Sequence, residues 1–104
     1  MTTCVAELQI NMFRVEDVAV FVLHGEMDTA AAPSLAAAFG SIDGGDHVYV
    51  DCADVIFVDS EGLRPLLELA RRNVLAGGPL HVRASTPVRR LIDLIDVEYL
   101  FALD

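Results

Sequence analysis

The sequence predicts an α/β domain built on a mixed β-sheet, with an antiparallel hairpin first, parallel strands after it, and helices packed against the sheet. Short apolar runs alternate with stretches of helical periodicity, in the order β-β-α-β-α-β-α. Strand-helix-strand units of this kind require parallel strands joined by right-handed crossovers. The link between the first two strands is short, which indicates an antiparallel hairpin. The 104 residues should form a single domain, 1–104.

The hairpin is expected to consist of strands at residues 4–10 and 18–23, joined by a turn region at 11–17. The second strand, VAVFVL, is a continuous apolar run, which is typical of an interior strand. Gly25 should end it.

The first helix should follow a cap at Asp28 or Thr29 and carry Pro33 in its first turn, where proline is tolerated. It should extend to about Phe39, because glycines follow soon after. The side chains expected to face the sheet are Leu35, Ala36 and Phe39.

A strand at 48–51, a short crossing and a second helix are expected next. The helix repeats apolar residues at i, i+3, i+4, i+7 and i+11, which predicts one buried face made of Leu63, Leu66, Leu67, Ala70 and Val74. Charged residues fall on the other side, at Glu61, Arg64, Glu68, Arg71 and Arg72. Glu68 precedes Arg72 by one helical turn, the favourable order for an ion pair.

Pro65 constrains where this helix begins. Asp59 and Ser60 both have side chains that cap helices. With Ser60 as the cap, however, Pro65 would lie beyond the first turn, delete a helical bond and cost about 3 kcal/mol. With Gly62 as the cap, it would lie within the first turn. We therefore expect regular helix to begin at Leu63, give or take one residue, or to show a kink at Pro65.

The last part of the chain should contain a strand at 80–84 and a helix that starts at Thr86 and Pro87. Residues 97–103 should close the domain. The side chains expected to point inward in this part are Val88, Leu91, Ile92 and Ile95 in the helix and Tyr99, Leu100 and Phe101 after it.

The charge of the chain is strongly negative and unevenly distributed. The net charge is −9, and all seven basic residues are arginines. Residues 1–62 contain eleven acidic residues against Arg14 alone, whereas residues 63–104 contain five acidic residues against six arginines. Such a surface repels nucleic acid and anionic membranes, so neither is expected as a partner. It suits a basic protein surface, or serves solubility.

Cys4 and Cys52 form neither a disulfide framework nor a C-x-x-C motif, and Cys52 should be a half-buried, unreactive thiol. No apolar run is long enough to span a membrane, and no signal peptide is evident. A cytoplasmic location is expected.

The residues do not support an enzyme. A serine hydrolase requires G-x-S-x-G, but residues 58–62 are V-D-S-E-G, and His24, His47 and His81 do not provide a convincing base. Asp51 ends a central strand as in phosphoacceptor receiver domains, yet the chain contains no lysine. No G-K-[ST] motif or zinc-ligand spacing is present, so no cofactor or metal is expected.

Four segments occur in order along the chain: L-H-G-E-M-D at 23–28, A-P-S-L at 32–35, V-I-F-V-D-S-E-G-L at 55–63, and STPVRRLIDLIDVEYLFAL at 85–103. Together they resemble the STAS domain of anti-sigma-factor antagonists. The resemblance implies the same mixed α/β fold. In the family, the serine that follows the aspartate is phosphorylated, and here it matches Ser60. Glu61 departs from the small residue that is usual after that serine, and Pro65 enters the helix unusually early.

The resemblance also implies a function. The unphosphorylated protein would bind an anti-sigma factor with serine-kinase activity and so release a sigma factor; phosphorylation of Ser60 would end binding, and a phosphatase would reset the switch. The implied binding surface comprises two loops, with Asp28, Thr29, Ala32 and Pro33 in one and Asp59, Ser60, Glu61, Gly62 and Leu63 in the other. The alternative is a STAS accessory subunit of a transporter or of a stress-signalling scaffold complex.

Overall fold

The computed structural model of the chain describes residues 7–42 and 47–104. Its elements in chain order are β1 (Gln9–Val15), β2 (Val18–Met27), α1 (Ala32–Gly40), β3 (His47–Val58), α2 (Ser60–Ala76), β4 (Leu80–Ala84), α3 (Thr86–Leu94), a 3₁₀ turn (Glu98–Leu100) and β5 (Phe101–Leu103).

The strands form one sheet in the order β1-β2-β3-β4-β5. β1 pairs antiparallel with β2, and the other three pairings are parallel. This confirms the mixed sheet and the element order that the sequence predicts. β5 was not predicted, because only three residues of the closing segment pair with β4.

The core lies on one face of the sheet. Alternate residues of β2, including Ala19, Phe21 and Leu23, are fully buried, as is Val50 in β3. Helices α1 and α2 contact each other, and the ring of Phe39 on α1 packs edge-on against Phe21 with centroids 5.0 Å apart. α3 begins directly after β4 and contacts β3. The buried side chains of the helices and of the sheet therefore form one core.

The boundaries of the hairpin differ from those predicted. The predicted strand at 4–10 lies partly outside the described residues, and β1 runs from Gln9 through most of the predicted turn region. The turn is confined to Glu16 and Asp17, and Glu16 has a φ of +55°. β1 is an edge strand whose residues are mostly exposed, so it lacks the alternation that marks a half-buried strand.

Two strands continue past their predicted ends. β2 passes through Gly25, which has a φ of +116°, because register shifts against β3 let the pairing continue to Met27. An added Cβ at Gly25 would overlap the carbonyl of Glu7, so the position requires glycine. β3 likewise extends to Val58, and the predicted crossing is the second half of this strand.

Helices α1 and α2 begin at different residues from those expected, and some residues predicted to face inward do not. α1 starts at Ala32 with Ala31 at its N-cap, several residues after Asp28 and Thr29. In α2 the buried set includes Leu69, not predicted, while Leu67 is half-buried and Val74 is 42% exposed. Three further residues predicted to be inward are exposed: Ala36, Ile95 and Tyr99.

Arg72 forms a contact other than the predicted one. Its guanidinium lies 3.5 Å from the carbonyl of Phe39 on α1. Among the described residues it makes no ion pair with Glu68, the partner that helical spacing favours.

Candidate functional site

The candidate site lies where the ends of β2 and β3 meet the start of α2. Met27 pairs in register with Val58, and the amide of Asp59 donates a hydrogen bond of 3.2 Å to the carbonyl of Met27. The sheet therefore brings together the two loops that the resemblance singles out.

Asp59 caps α2. Its side chain accepts a hydrogen bond of 2.7 Å from the amide of Gly62, and its carbonyl accepts one of 2.9 Å from the amide of Leu63. The helix consequently begins at Ser60, and the predicted start at Leu63 with Gly62 as the cap is wrong. Aspartate satisfies a free amide of the first turn, which glycine cannot do.

Pro65 lies inside α2 and is buried. Proline has no amide hydrogen, so the carbonyl of Glu61 has no donor at the usual position one turn later. This loss predicted either a helix start near Leu63 or a kink at Pro65; α2 starts at Ser60, and the kink stays a prediction. α2 includes Pro65 all the same, with Asp59 as its cap and with Pro65 and Leu66 buried.

Gly62 fixes the first turn of α2 against the β2–α1 loop. A Cβ built on Gly62 would overlap the carbonyl of Met27 and lie 2.8 Å from the amide nitrogen of Asp28. These are backbone atoms, which cannot rotate away as the end of a side chain could. The close approach therefore requires glycine and positions Ser60 relative to the β2–α1 loop.

Ser60 is the first residue of α2, and its side chain is exposed. Its hydroxyl makes no hydrogen bond with any described residue, because the cap is Asp59. Glu61, next to it, is exposed and forms an ion pair with Arg64 at 3.2 Å. Ser60 therefore presents an unengaged hydroxyl on an anchored helix end.

The β2–α1 loop contributes two polar side chains. Asp28 accepts a hydrogen bond of 2.9 Å from the amide of Ala31. Thr29 is exposed, and its hydroxyl donates to the second carboxylate oxygen of Asp59 over 3.4 Å, which joins the two loops.

Not every residue of the predicted surface is accessible. Ala32 is half-buried and Pro33 is exposed, at the start of α1. Gly62 and Leu63 are buried, and Leu63 is 0% exposed. Gly62 and Leu63 can therefore position the loop but cannot present a side chain to a partner.

A groove of about 460 Å³ lies beside Ser60 and was not predicted from the sequence. α2 supplies most of its lining, and Ile95, the C-cap of α3, contributes the far side. The lining residues are Ser60, Glu61, Arg64, Leu67, Glu68, Arg71 and Ile95. Helical spacing could have placed Arg64 one turn after Ser60. The contribution of Ile95 depends on how α3 packs, which spacing along the chain does not specify.

Cys52 lies close to the site in sequence but belongs to the core. It is 0% exposed, so it is fully buried and not half-buried as predicted. Burial, with a smaller effect from the Asp51 carboxylate, raises the pKa of its thiol to about 12. The thiol therefore stays protonated at neutral pH and is a poor nucleophile.

No cluster of three or more histidine, cysteine or acidic side chains suited to a metal ion occurs within residues 7–42 and 47–104. In the same part of the chain, no helix has the length and apolar character needed to cross a membrane.

Comparisons with known proteins agree with this geometry. The model of the family described as Mlab, STAS domain matches residues 12–102. No curated protein sequence matches the chain. A crystal structure of an anti-sigma factor antagonist from Mycobacterium paratuberculosis is 27% identical, with a TM-score of 0.81, and the match covers 93% of this chain and 85% of that one.

Two structures of the antagonist SpoIIAA share the fold. The unphosphorylated form is 21% identical with a TM-score of 0.66, and the match covers 84% of this chain and 83% of that one. The phosphorylated form, from Bacillus, is 19% identical with a TM-score of 0.68, and the match covers 92% and 91%. The family model covers nearly the whole chain, and this protein belongs to the STAS domain family.

Proposed function

We propose that this protein is an anti-sigma-factor antagonist of the bacterial cytoplasm and has no catalytic activity of its own. Unphosphorylated, it binds an anti-sigma factor with serine-kinase activity and thereby releases a sigma factor for transcription. The kinase phosphorylates Ser60 and ends the interaction, and a phosphatase restores the binding form. The observation that carries this proposal is the exposed hydroxyl of Ser60, which makes no hydrogen bond within residues 7–42 and 47–104 and lies at a capped helix start.

The position of Ser60 suits a modification that leaves the fold intact. The hydroxyl can change without loss of a hydrogen bond, because Asp59 provides the cap. A phosphate at a helix N-terminus is favoured by the free amides and by the helix dipole. SpoIIAA matches this chain with similar TM-scores in its unphosphorylated and phosphorylated forms, 0.66 and 0.68, which supports the same expectation.

Charge explains how the modification ends binding. Phosphorylation adds about −1.5 to −2 at Ser60, between the carboxylates of Asp59 and Glu61. A partner surface that accepts the bare hydroxyl then meets a hydrated dianion. Repulsion and lost desolvation at an interface can cost several kcal/mol, and about 1.4 kcal/mol corresponds to a tenfold loss of affinity.

The experiment starts with a pull-down from the native cell to identify the anti-sigma factor. Phosphopeptide mapping after incubation with that kinase and ATP should place the phosphate on Ser60, and Ser60→Ala should abolish its incorporation. The control is Ser34→Ala, because Ser34 is an exposed serine inside α1. Phosphate on Thr29, Ser34 or Thr86, with none on Ser60, would contradict the proposal.

Calorimetry with the same partner tests the charge argument. Ser60→Ala should bind like the wild type and resist switching, whereas Ser60→Asp should bind at least about tenfold more weakly. Equal affinity of the two variants would remove electrostatic repulsion as the mechanism.

A further inference from the structure

We infer that, once Ser60 is phosphorylated, Arg64 gives up its ion pair with Glu61 and binds the phosphate instead. This inference rests on the proposed phosphorylation of Ser60 and concerns what the modification does to its surroundings. It assigns Arg64 as a phosphate-binding residue and Glu61 as the group that holds Arg64 while Ser60 is unmodified.

The first step concerns the Glu61–Arg64 pair. Its atoms lie 3.2 Å apart, and the two side chains are 53% and 64% exposed. Exposed ion pairs of this kind are weak, because water competes for both groups. Arg64 can therefore exchange its partner at little cost when a stronger anion comes within reach.

The second step concerns spacing. Ser60 and Arg64 are separated by four residues on a continuous helix, so their side chains lie one above the other, about 6 Å apart at Cβ. Both line the same groove. A phosphate on Ser60 extends beyond Cβ by the length of the ester, which brings its oxygens within reach of the guanidinium.

The third step concerns the strength of the competing anions. A phosphoserine carries nearly two charges and three acceptor oxygens, and guanidinium binds phosphate through two parallel hydrogen bonds. The Glu61 carboxylate carries one charge. Asp59 competes less, because one of its oxygens caps α2 by accepting from the amide of Gly62 over 2.7 Å.

The remaining charges of the groove are Glu68 and Arg71. Glu68 lies one turn after Arg64, so its single negative charge is a second carboxylate that could attract Arg64 away from the phosphate. Arg71 lies about two turns after Arg64 and adds positive charge at the far end. Among the described residues that line the groove or cap α2, the charged groups are Asp59, Glu61, Arg64, Glu68 and Arg71. Arg64 is the cation one turn after Ser60, and Asp28 in the adjoining β2–α1 loop adds a further carboxylate.

The exchange gives Glu61 a role. While Ser60 is unmodified, Glu61 and Arg64 neutralise each other beside the hydroxyl. After phosphorylation, Arg64 turns to the phosphate and Glu61 is released as a free carboxylate. The partner protein then meets two changes at neighbouring positions: a phosphate on Ser60 and a carboxylate on Glu61 that is no longer paired with Arg64.

The test installs phosphoserine at position 60 during translation, so it needs no kinase. The second pKa of the phosphate, ordinarily about 6, is measured by ³¹P NMR titration of the intact protein. A nearby cation favours the dianion and lowers this pKa. We expect Arg64→Gln to raise it by about 0.3 to 0.5. Arg64→Lys, which keeps the charge but not the bidentate geometry, should restore part of the shift.

Arg72→Gln is the matched control, because it removes the same charge from the same helix but from a residue that contacts Phe39 instead of the groove. It should leave the phosphate pKa unchanged. Glu61→Gln should lower it, because the competitor for Arg64 is gone. Equal pKa values in Arg64→Gln and Arg72→Gln would overturn the inference.

The titration separates this inference from the proposed function. If no kinase in the cell modifies Ser60, the proposed function fails, yet the phosphate pKa still reports whether Arg64 binds it. If Ser60 is modified in the cell and the Arg64→Gln titration matches the wild type, the inference alone fails.

Discussion

The starts of α1 and α2 lie at the same end of the sheet and are built from similar parts, but only α2 is capped by its aspartate. In each case an aspartate directly follows the strand, and its side chain accepts a hydrogen bond from the amide three residues later, 2.9 Å at Asp28 and 2.7 Å at Asp59. Asp59 is the cap of α2 itself, whereas α1 begins beyond Asp28 with Ala31 at its cap and no side-chain hydrogen bond there.

The difference teaches how a modifiable serine can be held in place without burying it. The first turn of α2 is fixed by the cap, by the Asp59–Met27 hydrogen bond and by the approach of Gly62 to the β2–α1 loop. Ser60 stays exposed on this fixed turn. The start of α1 has no side-chain cap, and exposed Thr29 in the loop before it donates one long hydrogen bond to Asp59.

The largest effect is expected from Gly62→Ala, because the added methyl group would overlap the carbonyl of Met27. The backbone of one loop must move, which we expect to lower the free energy of unfolding by about 3 kcal/mol. For a domain of this size, each kcal/mol lowers Tm by about 4–8 °C. Chemical denaturation and thermal unfolding measure both quantities.

Gly40→Ala is the matched control, because a Cβ there meets nothing within 4 Å. Gly40 ends α1, and alanine is a better helix former than glycine, so this variant should be neutral or slightly more stable. If Gly62→Ala and Gly40→Ala lowered the free energy of unfolding by similar amounts, the close approach at Gly62 would not be what anchors α2.

A smaller effect is expected at the two aspartates. Asp59→Ala removes the cap of α2 and should lower the free energy of unfolding by about 1–2 kcal/mol. Asp28→Ala removes one hydrogen bond outside the helix and should lower it by about 0.5–1 kcal/mol. Asp59→Asn keeps the capping oxygen and should recover most of the loss. Denaturant titrations of the three variants would contradict the comparison if Asp28→Ala were the more destabilising.

The smallest effect is expected at Thr29. Its hydrogen bond to Asp59 is long, 3.4 Å, and exposed. Thr29→Val should therefore change the free energy of unfolding by less than about 0.5 kcal/mol. A double-mutant cycle with Asp59→Ala measures the coupling between the two loops. A coupling above about 1 kcal/mol would mean that the two helix starts are anchored as one unit.

The elements that sequence predicts well are those whose local signals agree. β4 matches its predicted bounds, and the helix after it starts at Thr86 as expected, where Ser85 caps and Pro87 occupies the first turn. β1 and the second half of β3 were missed because their side chains are largely exposed or lie beside register shifts.

The candidate site could be predicted only in part from the sequence. The Asp59-Ser60 pair predicts a helix start, but Pro65 led to a predicted start at Leu63, whereas Asp59 is the cap and α2 begins at Ser60. The approach of Gly62 to Met27 and the position of Ile95 beside the groove involve residues far apart in the chain. Such contacts follow from packing between elements, which spacing within one element does not determine.

The order of strands in the sheet has a consequence for how the domain folds. Each strand pairs with the one that precedes it in the chain. The sheet can therefore grow one strand at a time, and no strand has to insert between two that are already paired. Chains whose contacts are local in this sense close smaller loops before gaining favourable contacts, and they fold faster than chains with distant pairings. The two loops that hold Ser60 can accordingly meet once β3 has joined β2 and α2 has formed.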